Sequence, residues 1–138
     1  MDVVARHDLS LEAARRLVQQ VVTAAAAESV VLTVAVVDAS GTLIAFERMN
    51  GAPRFSAQLA VAKARTAATF GNPTSTLEAS FRDRAVFANT FASQGGWYFG
   101  RGGFPVRVGG ELVGGIGVSG ETAEREEELA RRAADSLG

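Results

Sequence analysis

Gly102-Gly103-Phe104-Pro105-Val106-Arg107-Val108-Gly109-Gly110-Glu111-Leu112-Val113-Gly114-Gly115-Ile116-Gly117-Val118-Ser119-Gly120 is the stretch that decides the fold. Two strand-like arms flank Gly109-Gly110, a pair suited to the positive φ angles of a two-residue hairpin turn. The second arm also contains a formal G-x-G-x-x-G, Gly115 to Gly120, which follows a strand and precedes a helix. A dinucleotide site would need a continuing βαβ unit with an acidic residue about 20 positions on. Only 18 residues remain after Gly120. The stretch is therefore read as an antiparallel hairpin whose glycines permit close packing. Backbone N–H groups around Ser119, Gly120 and Glu121 could still hold an anion at the start of the last helix.

Working outward, Thr122 caps that last helix, which carries Leu129, Ala130, Ala133, Ala134 and Leu137. On the N-terminal side lies Gly95-Gly96-Trp97-Tyr98-Phe99-Gly100-Arg101, too irregular for a helix and read as a shaped loop. Eleven of the 15 glycines fall between Gly95 and Gly120. Further upstream, Ser75 and Glu78 match a capping box, so a short helix is expected there. Its continuation through Phe81, Val86, Phe87 and Phe91 is open. Ser56 is expected to cap an Ala-rich helix ending near Phe70, stopped by Gly71-Asn72-Pro73.

Val30 to Val37 is apolar on both alternating faces, which predicts a central strand covered on both sides. Asp38-Ala39-Ser40-Gly41 supplies a turn. Thr42 to Met49 follows as the second strand of a hairpin, with Ile44 and Phe46 on one face and Leu43 and Ala45 on the other. Ser10 caps a first helix from about Leu11 to Ala27. The order is α, β-hairpin, α, short α, glycine loop, β-hairpin, α. Two hairpins imply an antiparallel sheet with helices packed on it. Residues 1–9 read as an N-terminal extension and 10–138 as a single domain.

Composition narrows the function. The chain has 138 residues, 47% of them hydrophobic, enough for one core. A formal charge of −1 gives no global attraction to nucleic acid. The aromatics Trp97, Tyr98 and Phe99 lie near Arg101, but no basic stripe supports them. Cysteine is absent, which removes disulfides, thiolate metal sites and a cysteine nucleophile. The N-terminus has no signal-peptide pattern and no apolar run approaches a membrane span, so a cytoplasmic protein without membrane contact is expected.

The lone histidine, His7, cannot build a metal cluster, and no metal site is expected. It reads as a solvent-exposed residue. Haem needs only one or two protein ligands, however, and His7, Met49 and Tyr98 are the plausible donors. Glu47, Arg48 and Asn50 sit where the second strand ends, beside Gly51-Ala52-Pro53. An ion pair or a site would both suit them. Lys63 and Arg65 interrupt the Ala-rich helix, and snorkelling accounts for one of them. Arg101 and Arg107 flank the glycine loop and could clamp a carboxylate.

Several segments together resemble the GlcG/HbpS (haem-degrading-domain-like) family. Arg48-Met49-Asn50-Gly51-Ala52-Pro53 is similar to its "RMDGA" element. Lys63 to Phe70 followed by Pro73-Thr74 resembles its "KA-TA-F-PT" helix and stop. Gly102 to Val106 resembles "GGvPi", and Gly114 to Gly120 resembles "GaIGVSG". The resemblance implies a profilin-like α/β (α+β) fold with a five-stranded antiparallel sheet flanked by helices. It also implies a homo-oligomer and a small-molecule ligand, with haem or a related tetrapyrrole as cofactor or cargo. Two positions depart from the pattern. Thr42 stands where many members carry His, and Asn50 stands for the usual Asp.

The alternative to a binding module is a cofactor-independent lyase, isomerase or dehydratase. Glu47, Glu121 or Asp38 would then be the acid or base, and Arg48 or Arg101 would hold a carboxylate. A purely structural or sensory oligomer is the third reading. For either functional reading, three elements are expected to converge. They are the second strand's end (Glu47, Arg48, Asn50), the loop Trp97, Tyr98, Arg101, Gly102, Gly103 with Phe104, and the turn Ser119–Glu121.

Overall fold

The computed structural model describes residues 2–137. Nine elements follow one another: α1 (Leu11–Ala27), β1 (Thr33–Asp38), β2 (Leu43–Arg48), α2 (Ser56–Phe70), α3 (Thr74–Ser80), α4 (Ala85–Ala92), β3 (Gly103–Val108), β4 (Glu111–Ser119) and α5 (Ala123–Asp135). The strands form one antiparallel sheet in the order β2-β1-β4-β3. This is the α+β arrangement expected, but with four strands instead of five. The residues themselves supply only four strand-like segments. The fifth came from the family resemblance, and the intervening chain is taken up by α3, α4 and the glycine loop.

Local chemistry explains most boundaries. Ser10 accepts from the Ala13 N–H and Thr122 from the Arg125 N–H, so both expected caps form. Gly109 and Gly110 adopt φ of 57° and 82°, turning β3 into β4. Two expected caps do not form. The Ser56 hydroxyl is buried and bonds to Pro53 O and to Thr33 Oγ1, so no side chain caps α2. The Ser75 hydroxyl donates to Glu127, and α3 begins at Thr74, with Pro73 in the N-cap position two residues before Ser75. In each case a tertiary partner outcompetes the helix end. The first strand also starts later than expected, at Thr33, because the Val30 N–H remains bonded to Ala25 O.

β1 is one of the two inner strands and is buried from Thr33 to Val37. On one face Val34, Val36, Val106, Ile116 and Val118 meet Leu17, Val18 and Val21 of α1 and Leu129, Ala130 and Ala133 of α5. On the other, Ala35 and Val37 meet Ala60, Ala64 and Ala68 of α2. The α2 face is unusually close. A Cβ built on Gly117, Gly115 or Gly103 would lie 2.1, 2.4 or 2.4 Å from a carbonyl oxygen of α2. Glycine there sets how near the helix can approach.

The β1–β2 turn gives a pH prediction. Burial alone would raise the Asp38 pKa, but hydrogen bonds from the Ser40 hydroxyl and from the N–H groups of Thr42, Ser40 and Gly41 outweigh it. The carboxyl is held below its ordinary value of 3.8. A depressed carboxylate pKa contributes stability that is present above the unfolded-state value and lost as pH falls through the folded one. Asp38→Ala is expected to cost about 0.5–1.5 kcal/mol at neutral pH, the net worth of a hydrogen bond. The difference from wild type should close in acid. A gap in urea midpoints that persisted below the Asp38 pKa would contradict this account.

Candidate functional site

α2 is the platform on which the glycine loop and the β3–β4 hairpin meet. Its Lys63 is 3% exposed and its ammonium does not snorkel to water. The Nζ donates to Glu126 Oε1 at 2.8 Å and to Val118 O at 3.1 Å, and lies 5.3 Å from the centre of the Tyr98 ring. The other Glu126 oxygen accepts from the N–H groups of Gly120 and Glu121, at 2.8 and 3.1 Å. The N–H groups that could have held an external anion at Ser119–Glu121 are thus taken by the chain's own carboxylate.

Sequence reasoning missed Glu126, which sits in the acidic run Glu124, Glu126, Glu127, Glu128 and looks like a solvated face. A signal was present: Glu126 shares a helical face with Leu129, Ala130 and Ala133, all buried. Lys63 likewise lies among Ala60, Ala64 and Ala67.

The glycine loop runs beside α2 and is pinned along its length. The Tyr98 N–H donates to Thr66 Oγ1 at 3.0 Å, and the Gly103 N–H to Thr74 Oγ1 at 2.9 Å. Gly102 has φ of 117° and a Cβ there would strike Val118 O and the Lys63 side chain. Trp97 packs on Phe70 and Phe91, within a cluster that also holds Phe81, Phe87 and Phe99. Arg101 reaches toward Glu124 and Glu127, at 3.6 and 3.9 Å. Arg107 donates to Gly71 O and Gly110 O. Neither arginine waits for a ligand without a protein partner.

The three expected elements share one end of the sheet, since Thr33 pairs with both Arg48 and Ser119, and the Val118 N–H donates to Gly102 O. They do not form one pocket. β2 and β3 are opposite edges, three strand spacings or about 14 Å apart. Pro53 and Ser56 pack against Gly120 between them. Alternation separates residues further. Glu47 pairs with Val34 and so faces α1, whereas Arg48 pairs with Thr33 and faces α2, where it donates to Ala52 O. Phe104 packs in the α1–α5 core, away from Gly103. Ser119 is buried, and Glu121 is half-buried with its N–H committed to Glu126. Glu47, Arg48 and Glu121 thus do not converge as an acid–base set, and this geometry gives the lyase or isomerase alternative no support.

A groove of about 620 Å³ does open at the end of β2. Val22, Val31, Phe46, Glu47, Arg48, Met49 and Asn50 line it. Met49 is half-buried there and packs against the main core. Of the other donors, Tyr98 lies on the α2 side. His7 is tied to Glu111 at 2.9 Å, eight residues along β4 from Ser119, or about 26 Å away.

A helix-flanked antiparallel sheet, a glycine loop laid along an Ala-rich helix and an edge groove make up a small α+β domain. A family model described as "Haem degrading protein HbpS-like" matches residues 9–135, and the chain belongs to that family. An uncharacterised 15.0 kDa protein from the dhaT-dhaS intergenic region of Citrobacter freundii is 30% identical over 128 residues, 92% of this chain and 90% of that one. The crystal structure of a double mutant of Streptomyces reticuli HbpS is 35% identical, with a TM-score of 0.89 over 99% of this chain and 92% of that one. The crystal structure of a PduOC–heme complex is 30% identical, with a TM-score of 0.86 over 95% of this chain and 96% of that one. Among the described residues no helix is long and apolar enough to cross a membrane.

Proposed function

We propose that this protein binds a tetrapyrrole, with haem the first ligand to test, in the groove at the end of β2. Membership of the HbpS-like family carries the reading, and the similarity to a protein crystallised with heme supports it. The groove residues suit such a ligand. Val22, Val31 and Phe46 offer apolar walls for a macrocycle, Met49 a thioether for the iron, and Arg48 a cation for a propionate. Asn50 adds an amide donor at the rim. Bound there, haem would supply redox chemistry at its iron, and the chain's part would be to seat and orient it.

Titration of the purified protein with haemin is expected to give a saturable Soret shift. Met49→Ala should alter the spectrum and weaken binding about tenfold or more, the scale of one lost ligand interaction. A spectrum that never departs from free haemin sinks the reading. A wild-type response from Met49→Ala moves the site elsewhere. We also infer a homo-oligomer. Leu43 and Phe46 are exposed on the open edge of β2, and such edges favour pairing with another chain. Light scattering should give a mass above the 14.4 kDa of one chain.

A further inference from the structure

The outer side of α2 carries a second feature. Arg65 and Arg125 are half-buried, while the other arginines are exposed. Arg125 is paired with Glu28. Arg65 has no carboxylate and no hydrogen-bond acceptor among the described residues, although its guanidinium carries five donors. Its charge is instead laid over the Trp97 ring, 4.1 Å from the centroid. Stacking uses the flat face of the group and leaves its N–H edge open.

The seat is shaped for that cation. Gly96 has φ of 80°, and a Cβ there would lie 2.2 Å from Arg65 Nη1. On the other side the Arg65 stem crosses Gly41, where a Cβ would lie 3.0 Å from its Cγ. Two glycines thus hold the side chain between the β1–β2 turn and the loop. A groove of about 400 Å³ leads away from it, lined by Ala57, Gln58, Val61, Ala62, Arg65 and Gly96. It is a shallow, largely apolar surface groove with a half-buried, preorganised cation at one end. A group in that state gains most from a charged acceptor, and a carboxylate matches its fork.

We propose that Arg65, Trp97 and this groove form a binding site for a small amphiphilic carboxylate. The carboxylate lies on the guanidinium edge and the hydrocarbon body along Val61 and Ala57. Trp97 is the chain's one tryptophan, so its fluorescence reports the site directly. Hexanoate is expected to change the emission saturably, acetate to bind more weakly for lack of a body, and hexan-1-ol to give no such response. Arg65→Gln should weaken hexanoate binding about tenfold or more, the loss expected of a charge-assisted hydrogen-bonded pair. Arg65→Lys keeps the charge but not the fork, so it should fall between and serves if the Gln variant does not fold. Three results each overturn the proposal: no saturable response to hexanoate, an equal response to hexan-1-ol, or unchanged affinity in a folded Arg65 variant. The haemin experiment is independent, because the Met49 groove lies against α1 and β2.

Discussion

Glu126→Ala is expected to destabilise the protein by about 3–5 kcal/mol, the cost of removing one partner from a buried ion pair. The wild-type pair is almost fully enclosed, with Lys63 3% and Glu126 5% exposed. Without the carboxylate, the Lys63 ammonium keeps only Val118 O and the Tyr98 ring. The N–H groups of Gly120 and Glu121 lose their acceptor at the same time. Glu126→Gln restores an acceptor but removes the compensating charge, so it should remain strongly destabilised. Adding Lys63→Met to Glu126→Gln should recover much of the loss, because no unpaired charge is then buried. Urea denaturation of wild type, Glu126→Gln, Lys63→Met and the double variant completes the cycle. A loss below about 1 kcal/mol for Glu126→Ala, or no recovery in the double variant, would show that the pair does not hold α5, α2 and β4 together. The Trp97–Gly103 loop leans on Lys63, so fluorescence of Trp97 should also report its loosening.

Elements whose limits depend on neighbours in sequence were legible. Ser10, Thr122 and Gly109-Gly110 each satisfy a local backbone requirement, and the structure uses each that way. Where a distant partner competes, local reading failed: Ser56 is taken by Thr33, and Ser75 by Glu127. The pairing of β1 with β4 joins Thr33 to Ser119, and no short-range pattern announces it. The three expected elements share one end of the sheet but do not converge on one pocket. Part of that separation was legible, because adjacent strand residues such as Glu47 and Arg48 point to opposite faces. The rest was not, since strand order decides that β2 and β3 lie at opposite edges. The buried Lys63–Glu126 pair was hidden for a different reason. Charge in a polar run reads as solvated until helical register is set against the neighbouring apolar residues.

Gly117→Val should cost about 3 kcal/mol or more, at or beyond the top of the usual range for overpacking. Overpacked side chains are normally relieved by rotamer shifts. Here the obstacle is main chain: the new Cβ would stand 2.1 Å from Ala60 O and 2.6 Å from Ala64 N. Relief requires α2 to lift from the sheet, which would open the contact of Ala35 and Val37 with Ala60, Ala64 and Ala68. It would also move Lys63 away from Glu126. Because Cβ alone makes the clash, Gly117→Ala should share most of the penalty, which separates this mechanism from simple loss of volume tolerance. Gly115→Val should behave similarly, with its Cβ 2.4 Å from Ala64 O. Gly109→Ala is the contrast. It has nothing within 4 Å and φ of 57°, so it should lose only about 1–2 kcal/mol for the left-handed backbone. Thermal or urea midpoints of the four variants test the order. If Gly117→Ala melts with wild type while Gly109→Ala does not, the close approach of α2 to the sheet is not what these glycines serve.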